Sequence, residues 1–252
     1  MTVLYLAWQE PKERHWFPVG RLCFDGSTYR FGYTKGAMRS PDFMPFAQMP
    51  DLNASYASTE LFPLFKNRIL SKSRPEYPSF LNWLDLESGE DEPLTLLART
   101  GGARATDSLR IVPCPTPSPD GVYHMSFFSH GIRYLPESIQ TIIDHLSVGD
   151  NLFLMPDPQN PYDSHALALR MASQAVIVGY CPRYLNHDFR ILLQADPHAT
   201  RVHVERSNRD APLQLRLLCT IQAPWPKHFQ PCSGEDYEVL VADTQVLVSG
   251  EC

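Results

Sequence analysis

Proline limits the length of regular elements in this chain, because 23 of its 252 residues are proline. A proline fixes its own backbone torsion and has no N–H to donate, so it interrupts helix interiors and central strands. The densest cluster, Pro-Cys-Pro-Thr-Pro-Ser-Pro-Asp-Gly, occupies residues 113–121. We therefore expect many short elements, and a stiff linker over 113–121 between a domain at 1–112 and a domain at 122–252.

The first domain has the residue pattern of a small α+β unit. Apolar residues alternate with polar ones, and Asp25-Gly26 is a typical tight turn of a β-hairpin. Strands are predicted over residues 2–8, 19–24, 28–33 and 109–112. Helices are predicted from apolar spacing over residues 61–70, 77–86 and 92–99, the last of them ended by Gly101-Gly102.

The second domain has the pattern of many short strands with two helices. Strands are predicted over residues 122–131, 151–155, 166–171, 175–181, 202–206, 214–222 and 239–248. Helices are predicted over residues 135–145 and 184–194. Such a series favours a small closed or nearly closed β-barrel, and the whole chain is therefore expected to be an α+β protein.

Composition indicates a globular protein. Hydrophobic residues make up 43% of the chain and charged residues 20%. No apolar run reaches the length of a membrane span, and the first residues lack a basic leader. Six scattered cysteines without a C-x-x-C pair suit reduced thiols better than a disulfide framework or a zinc site. We expect a cytoplasmic protein without a membrane partner.

One turn of the second domain combines an aromatic face with a hydrogen-bond acceptor. Asn160 and Pro161 favour a turn, from which Tyr162 and Asp163 project. An aromatic face can stack on a nucleic-acid base, which contributes about 1–3 kcal/mol. A carboxylate repels phosphate but accepts a hydrogen bond from a hydroxyl. The pair therefore suits a terminal sugar with a free 3′-hydroxyl better than an internal phosphodiester.

Arginines and a second tyrosine lie in neighbouring motifs. Arg133 and Tyr134 follow the first predicted strand of this domain, where they can supply a phosphate contact and another stacking surface. Arg183 follows a Gly-Tyr-Cys-Pro segment and can also contact a phosphate.

Each of these residues also has a purely structural interpretation. Asp163 can cap its own turn by accepting an N–H of the next strand. Tyr134 can pack against the helix predicted after it. Arg133 can be solvated, and Arg183 can mark the start of a helix.

The order of these motifs resembles the HIRAN domain over residues 121–222. In that family, the positions of Arg133, Tyr134, Asn160, Tyr162 and Asp163 line a pocket for the end of single-stranded DNA. The resemblance implies a non-catalytic module that recognises 3′ ends of single-stranded DNA.

Charge is unevenly divided between the two predicted domains. Residues 1–112 contain 13 basic and 13 acidic side chains, whereas residues 113–252 contain 9 basic and 15 acidic ones. Family members that bind nucleic acid often carry lysines near the turn, where this chain has Ser164 and His165. An acidic domain attracts nucleic acid weakly at long range, so we expect a small pocket and no extended DNA-coating surface.

The first domain resembles the N-terminal subdomain of HipA-type Ser/Thr kinases, over residues 3–112. The segments that carry the resemblance are Val-Gly-Arg-Leu at 19–22, Tyr-Arg-Phe-Gly-Tyr at 29–33 and Phe-Pro-Leu-Phe-Lys-Asn-Arg at 62–68. The resemblance implies an alternative function, as an antitoxin-like regulatory subunit that docks on a separate HipA-type kinase through residues 1–112. An exposed apolar patch over residues 61–86 would favour this alternative.

Catalytic signatures are missing from the sequence. It contains no Gly-x-Ser-x-Gly elbow, phosphate-binding loop or His-Glu-x-x-His motif, and it lacks the catalytic residues of a HipA-type kinase. We therefore expect a protein that is not an enzyme, with no cofactor and no metal ligands.

Overall fold

The chain forms two compact units in a computed structural model that describes residues 2–87, 89–104, 106–241 and 246–248. Unit 1 consists of residues 1–72, 91–114 and 230–252, and unit 2 consists of residues 73–90 and 115–229.

The described residues form twelve strands and five α-helices. The strands are β1 (Thr2–Gln9), β2 (Trp16–Phe24), β3 (Tyr29–Tyr33), β4 (Ser55–Ser58), β5 (Leu109–Pro113), β6 (Val122–Phe128), β7 (Asn151–Pro156), β8 (Leu167–Met171), β9 (Ile177–Tyr180), β10 (Arg201–Ser207), β11 (Leu217–Pro224) and β12 (Val246–Val248). The helices are α1 (Pro63–Lys66), α2 (Tyr77–Trp83), α3 (Pro93–Thr100), α4 (Glu137–Asp144) and α5 (Asn186–Ala195).

Unit 1 is built on a six-stranded sheet in the order β12-β4-β3-β2-β1-β5. Its strands pair antiparallel except for β12, which pairs parallel with β4. Aromatic and aliphatic side chains from the sheet and helices pack into one core, in which Phe31, Phe65, Leu97 and Ile111 are fully buried. Helix α3 ends where the sequence predicts, at Gly101, whose φ of +65° is a conformation that glycine adopts without strain.

Unit 2 is built on a six-stranded antiparallel sheet in the order β6-β11-β10-β7-β8-β9. The two edges of this sheet meet, because His130, just after β6, and Tyr180, in β9, exchange backbone hydrogen bonds of 2.8 and 2.9 Å. The sheet is therefore curled so far that its first and last strands meet at one bridge. The prediction of a mixed fold with strands and few helices is confirmed, and the predicted closed or nearly closed β-barrel is observed as a curled antiparallel sheet.

Residues 73–90 group with unit 2, although the sequence predicts them within the first domain. Asp85 accepts hydrogen bonds of 2.9 and 2.6 Å from the guanidinium of Arg206. The side-chain amide of Asn208 donates to the carbonyl oxygen of Trp83 at 2.9 Å. These contacts join segments more than 120 residues apart, which local patterns do not predict.

Residues 230–252 group with unit 1, although the sequence predicts them within the second domain. The amide of Leu240 donates to the carbonyl oxygen of Tyr33 at 2.8 Å, and Lys35 forms an ion pair of 2.6 Å with Glu238. The strand predicted over 239–248 is confined, among the described residues, to 246–248, and it extends the unit 1 sheet.

Candidate functional site

The bridge between the edges of the unit 2 sheet depends on a glycine. Gly179 has a φ of +138°, and a Cβ atom there would clash with Oγ of Ser129 and lie 2.8 Å from the carbonyl oxygen of His130. Oγ of Ser129 in turn donates to the carbonyl oxygen of Val178 at 3.2 Å. Glycine is therefore required for the strand edges to approach, and this approach positions the next residue, Tyr180.

The first turn of the site is a short 3-10 helix over Ile132–Tyr134. Ile132 is buried and anchors the turn, whereas the side chains of Arg133 and Tyr134 lie at the surface. The Tyr134 side chain is 75% exposed, so it does not pack against the following helix. The guanidinium of Arg133 lies 4.6 Å from the centre of the Tyr134 ring and donates to its hydroxyl oxygen. The turn therefore presents a paired cation and aromatic ring.

The second turn of the site connects β7 to β8. The side-chain oxygen of Asn160 accepts the backbone N–H of Tyr162 at 3.1 Å and that of Asp163 at 3.2 Å. This is the local side-chain-to-backbone bonding that favours asparagine in turns. It fixes the backbone of Tyr162, whose side chain is 76% exposed.

Asp163 ties this turn to the start of α5. Its carboxylate accepts the backbone N–H of His165 at 2.9 Å and the side-chain amide of Asn186 at 2.8 Å. The Nε atom of Arg183 lies 3.7 Å from the same carboxylate, which is 12% exposed. Asp163 therefore caps its turn, as the structural interpretation has it, and part of its capacity to accept hydrogen bonds remains.

Arg183 begins a 3-10 helix, Arg183–Leu185, that leads directly into α5. Its side chain is 31% exposed beside Asp163. It therefore lies at a helix start and at the edge of the second turn, which places a positive charge next to the carboxylate.

Tyr180 connects the two turns. Its hydroxyl donates to the Asp157 carboxylate at 3.0 Å, at the base of the second turn. Its ring lies beside Gly131, at the base of the first turn, and a Cβ atom added to that glycine would be 3.5 Å from the ring. Burial of the ring, and then the bond to Asp157, raises the pKa of the Tyr180 hydroxyl. The hydroxyl therefore stays protonated as the donor of this bond.

Tyr180 and Asn186 are site residues that the sequence reasoning did not assign. The sequence signal for Tyr180 is its position directly after Gly179. The contact that places Tyr180 in the site is its backbone bridge to His130, which lies 50 residues earlier in the chain. Asn186 is 3% exposed and opens α5, where an asparagine is commonly interpreted as a helix start signal only.

The charge of the sheet that carries the site is nearly balanced. Residues 122–226 contain eight arginines, no lysine and nine acidic residues. Most of the acidic excess of the C-terminal half therefore lies outside this segment, and Glu235, Asp236 and Glu238 belong to unit 1. The acidic character of residues 113–252 is therefore concentrated in segments on either side of residues 122–226.

Comparison with protein families gives one match on this part of the chain, to the model of the HIRAN domain over residues 122–226. Residues 122–226 are thus similar to HIRAN domains. HIRAN domains are nucleic-acid-binding modules. The comparisons give no support to the HipA-type resemblance of residues 3–112. None of the curated proteins compared matches the chain.

Two solved structures are similar to part of the chain. A protein from Lactobacillus plantarum is 21% identical over 41% of this chain and 99% of its own, with a TM-score of 0.30. The HIRAN domain of human HLTF is 16% identical over 41% of this chain and 74% of its own, with a TM-score of 0.31.

No group of three or more His, Cys, Asp or Glu side chains among the described residues is arranged to hold a metal ion. None of their helices combines the length and the apolar character needed to cross a membrane.

Proposed function

We propose that the HIRAN domain of this protein binds the 3′ end of single-stranded DNA and performs no catalysis. The observation that carries the proposal is the pair of surface tyrosines, Tyr134 and Tyr162, on two turns that both contact Tyr180. Burial of a tyrosine ring is favourable, so two rings held in solvent by well-bonded turns indicate contact with a ligand.

The tyrosine rings supply base stacking. Stacking of one base on an aromatic side chain contributes about 1–3 kcal/mol and tolerates any sequence, because every base has a π-face. The Tyr162 backbone is fixed by Asn160, and the Tyr134 ring is covered on one side by Arg133. Both rings are thus ordered before a ligand arrives, which lowers the entropic cost of binding.

The carboxylates at the base of the site favour a hydroxyl over a phosphate at the strand terminus. Asp163 and Asp157 are both acceptors there, and each already holds an internal donor. A terminal phosphate near them would be repelled, whereas a 3′-hydroxyl can donate a hydrogen bond. Arg133 and Arg183 lie at the rim, where their positive charges can attract the phosphate that precedes the terminal sugar.

The nearly balanced charge of residues 122–226 indicates a small footprint. Each neutralised phosphate of a single strand contributes about −0.7 to the slope of log K against log salt. For a strand that reaches only the terminal site, with two rim arginines as the phosphate contacts, we expect a slope of about −1.4, which is shallow compared with proteins that coat DNA.

The alternative function, docking on a HipA-type kinase, is not carried by any observation here. The apolar patch that would favour it is not exposed, because each of its large apolar side chains is buried or partly buried. The buried members are Leu61, Phe62, Phe65, Tyr77 and Leu84.

Fluorescence anisotropy with labelled oligonucleotides tests the proposed function. We expect the full chain to bind a single strand with a free 3′-hydroxyl more tightly than a strand with a 3′-phosphate or a blunt duplex. Tyr162→Ala and Tyr134→Ala should each weaken this binding about 5- to 150-fold, the equivalent of one stacking contact. Met44→Ala is the matched control, because Met44 is 74% exposed and belongs to unit 1.

Equal binding of the three oligonucleotides by the wild-type protein would contradict end recognition. Equal binding by the tyrosine variants and the wild type would contradict the role of the two rings. Asp163→Ala is a weaker first test, because loss of its carboxylate also removes the bond that ties the turn to Asn186.

A further inference from the structure

Strand β7 presents apolar side chains on its outer face. Phe153 is 50% exposed and Met155 is 36% exposed, whereas Leu152, on the opposite face, is buried. Successive residues of a strand point to opposite sides of the sheet, so Phe153 and Met155, which are two positions apart, lie side by side on one surface. Neither residue belongs to the turns that form the proposed site.

Arginines flank Phe153 on the two neighbouring strands. Arg170 of β8 pairs directly with Phe153. In β10, Val202 pairs with Leu152, so the preceding residue, the exposed Arg201, lies beside Phe153 on the outer face. An aromatic side chain between two cations has the chemistry of a stacked base between two phosphates.

This row of side chains continues into the proposed site. Met155 pairs with Ala168, and Ala168 pairs with Tyr180, the residue that connects the two turns. Phe153 lies one pleat further along β7, so the spacing of strands and residues puts it roughly 10–15 Å from Tyr180. The exposed side chains of β7 therefore lie on the same face of the sheet as Tyr180 and near the two turns, with the buried Ala168 between Met155 and Tyr180.

We propose that this outer face carries the single strand that leads away from the end site, with Phe153 stacking on a base and Arg170 and Arg201 contacting phosphates. The proposal rests on the proposed function and extends it to nucleotides beyond the terminus. The positive charge favours a nucleic acid over a protein as the occupant. The apolar part consists of only two side chains, whereas stable protein interfaces bury about 800 Å² on each partner.

Anisotropy with strands of two lengths tests this extension on the full chain. The probes are a dinucleotide and an oligomer of about eight nucleotides, both with a free 3′-hydroxyl. Phe153→Ala should weaken binding of the longer strand at least about five-fold and leave the dinucleotide unchanged, because one stacking contact is lost. Val148→Ala is the matched control, since Val148 is 77% exposed in the turn before β7.

Salt dependence tests the arginines separately. Arg170→Gln and Arg201→Gln should each reduce the slope for the longer strand by about 0.7 and leave that for the dinucleotide unchanged. Tyr162→Ala should weaken both probes, which distinguishes the terminus from the extended face.

The outcomes separate the two proposals. If the wild-type protein binds neither probe, the proposed function fails and this extension fails with it. If the wild type binds both probes but Phe153→Ala weakens neither, or weakens both equally, only the extension is overturned.

Discussion

Two pairs of aromatic side chains, one pair in each unit, are placed in opposite ways. In unit 1, Phe31 and Tyr33 are fully buried, and the Tyr33 hydroxyl donates to the carbonyl oxygen of Met49 at 2.7 Å. In unit 2, the side chains of Tyr134 and Tyr162 are each about three-quarters exposed. The rings of unit 1 thus contribute to its core, whereas those two of unit 2 are held at the surface by turns that do not need them for packing.

This difference separates stability from function within one chain. A buried aromatic ring contributes through the apolar area that it removes from water, which is the main favourable term in folding. An exposed ring contributes little to folding, so its retention in a defined turn is better explained by binding. The predictions below test this separation, from the largest expected change in the free energy of unfolding to the smallest.

Phe31→Ala should have the largest effect. The ring is fully buried and packs against Tyr33, Phe46, Phe62 and Phe65, so its removal leaves a cavity in the core of unit 1. We expect the free energy of unfolding of unit 1 to fall by about 3–5 kcal/mol, measured by denaturant titration with aromatic fluorescence. A loss below about 1 kcal/mol would show that this core is not packed as described.

Asp188→Asn should have an intermediate effect of opposite sign. Burial raises the pKa of the Asp188 carboxyl from 3.8 to about 6, while nearby His187 lowers it. Because the folded-state pKa exceeds the unfolded one, ionisation of Asp188 destabilises unit 2 as pH rises through this window. At pH 7–8 the variant should therefore be more stable by about 1–3 kcal/mol.

The pH profile provides the control for this prediction. Below about pH 3, where the carboxyl is protonated in both states, the variant and the wild type should unfold at similar denaturant concentrations. A stability difference that does not change between about pH 3 and pH 8 would contradict the assignment of the effect to this carboxyl.

Tyr162→Ala should have the smallest effect on stability. Its side chain is 76% exposed, and the turn is held by the Asn160 side chain and by backbone bonds that do not involve the ring. We expect a change within about 0.5 kcal/mol in thermal or denaturant unfolding, as for surface substitutions away from special features. A loss near that of Phe31→Ala would abolish the contrast between the two units.

Local patterns in the sequence were sufficient for most of the elements. Alternation and turn residues located β1, β2, β3 and β5 and the short strands of unit 2, and Gly101 located the end of α3. Helix α1 is only Pro63–Lys66, shorter than the predicted 61–70, although three aromatic or aliphatic residues of that segment are buried as in a helix. Their spacing along the sequence was interpreted as a longer helix, although it reflects only that these residues are buried in the core.

Contacts between distant segments account for what the sequence could not reveal. Strand β4 was not predicted, and its pairing with β12 joins residues almost 200 positions apart. The central position of Tyr180 depends on a strand register that only the folded sheet defines. Asp163 shows the same limit, since its bond to Asn186 could not be distinguished in advance from a role in binding.

The bridge between His130 and Tyr180 has a kinetic consequence. The turn with Tyr134 continues from one edge of the unit 2 sheet, and the turn with Tyr162 is attached to the opposite side through Tyr180. A strand that touches both rings thus spans the seam where the edges meet, so local opening of the seam would separate the two rings and shorten the residence time of the strand. Amide hydrogen exchange at His130 and Tyr180 reports how often that opening occurs.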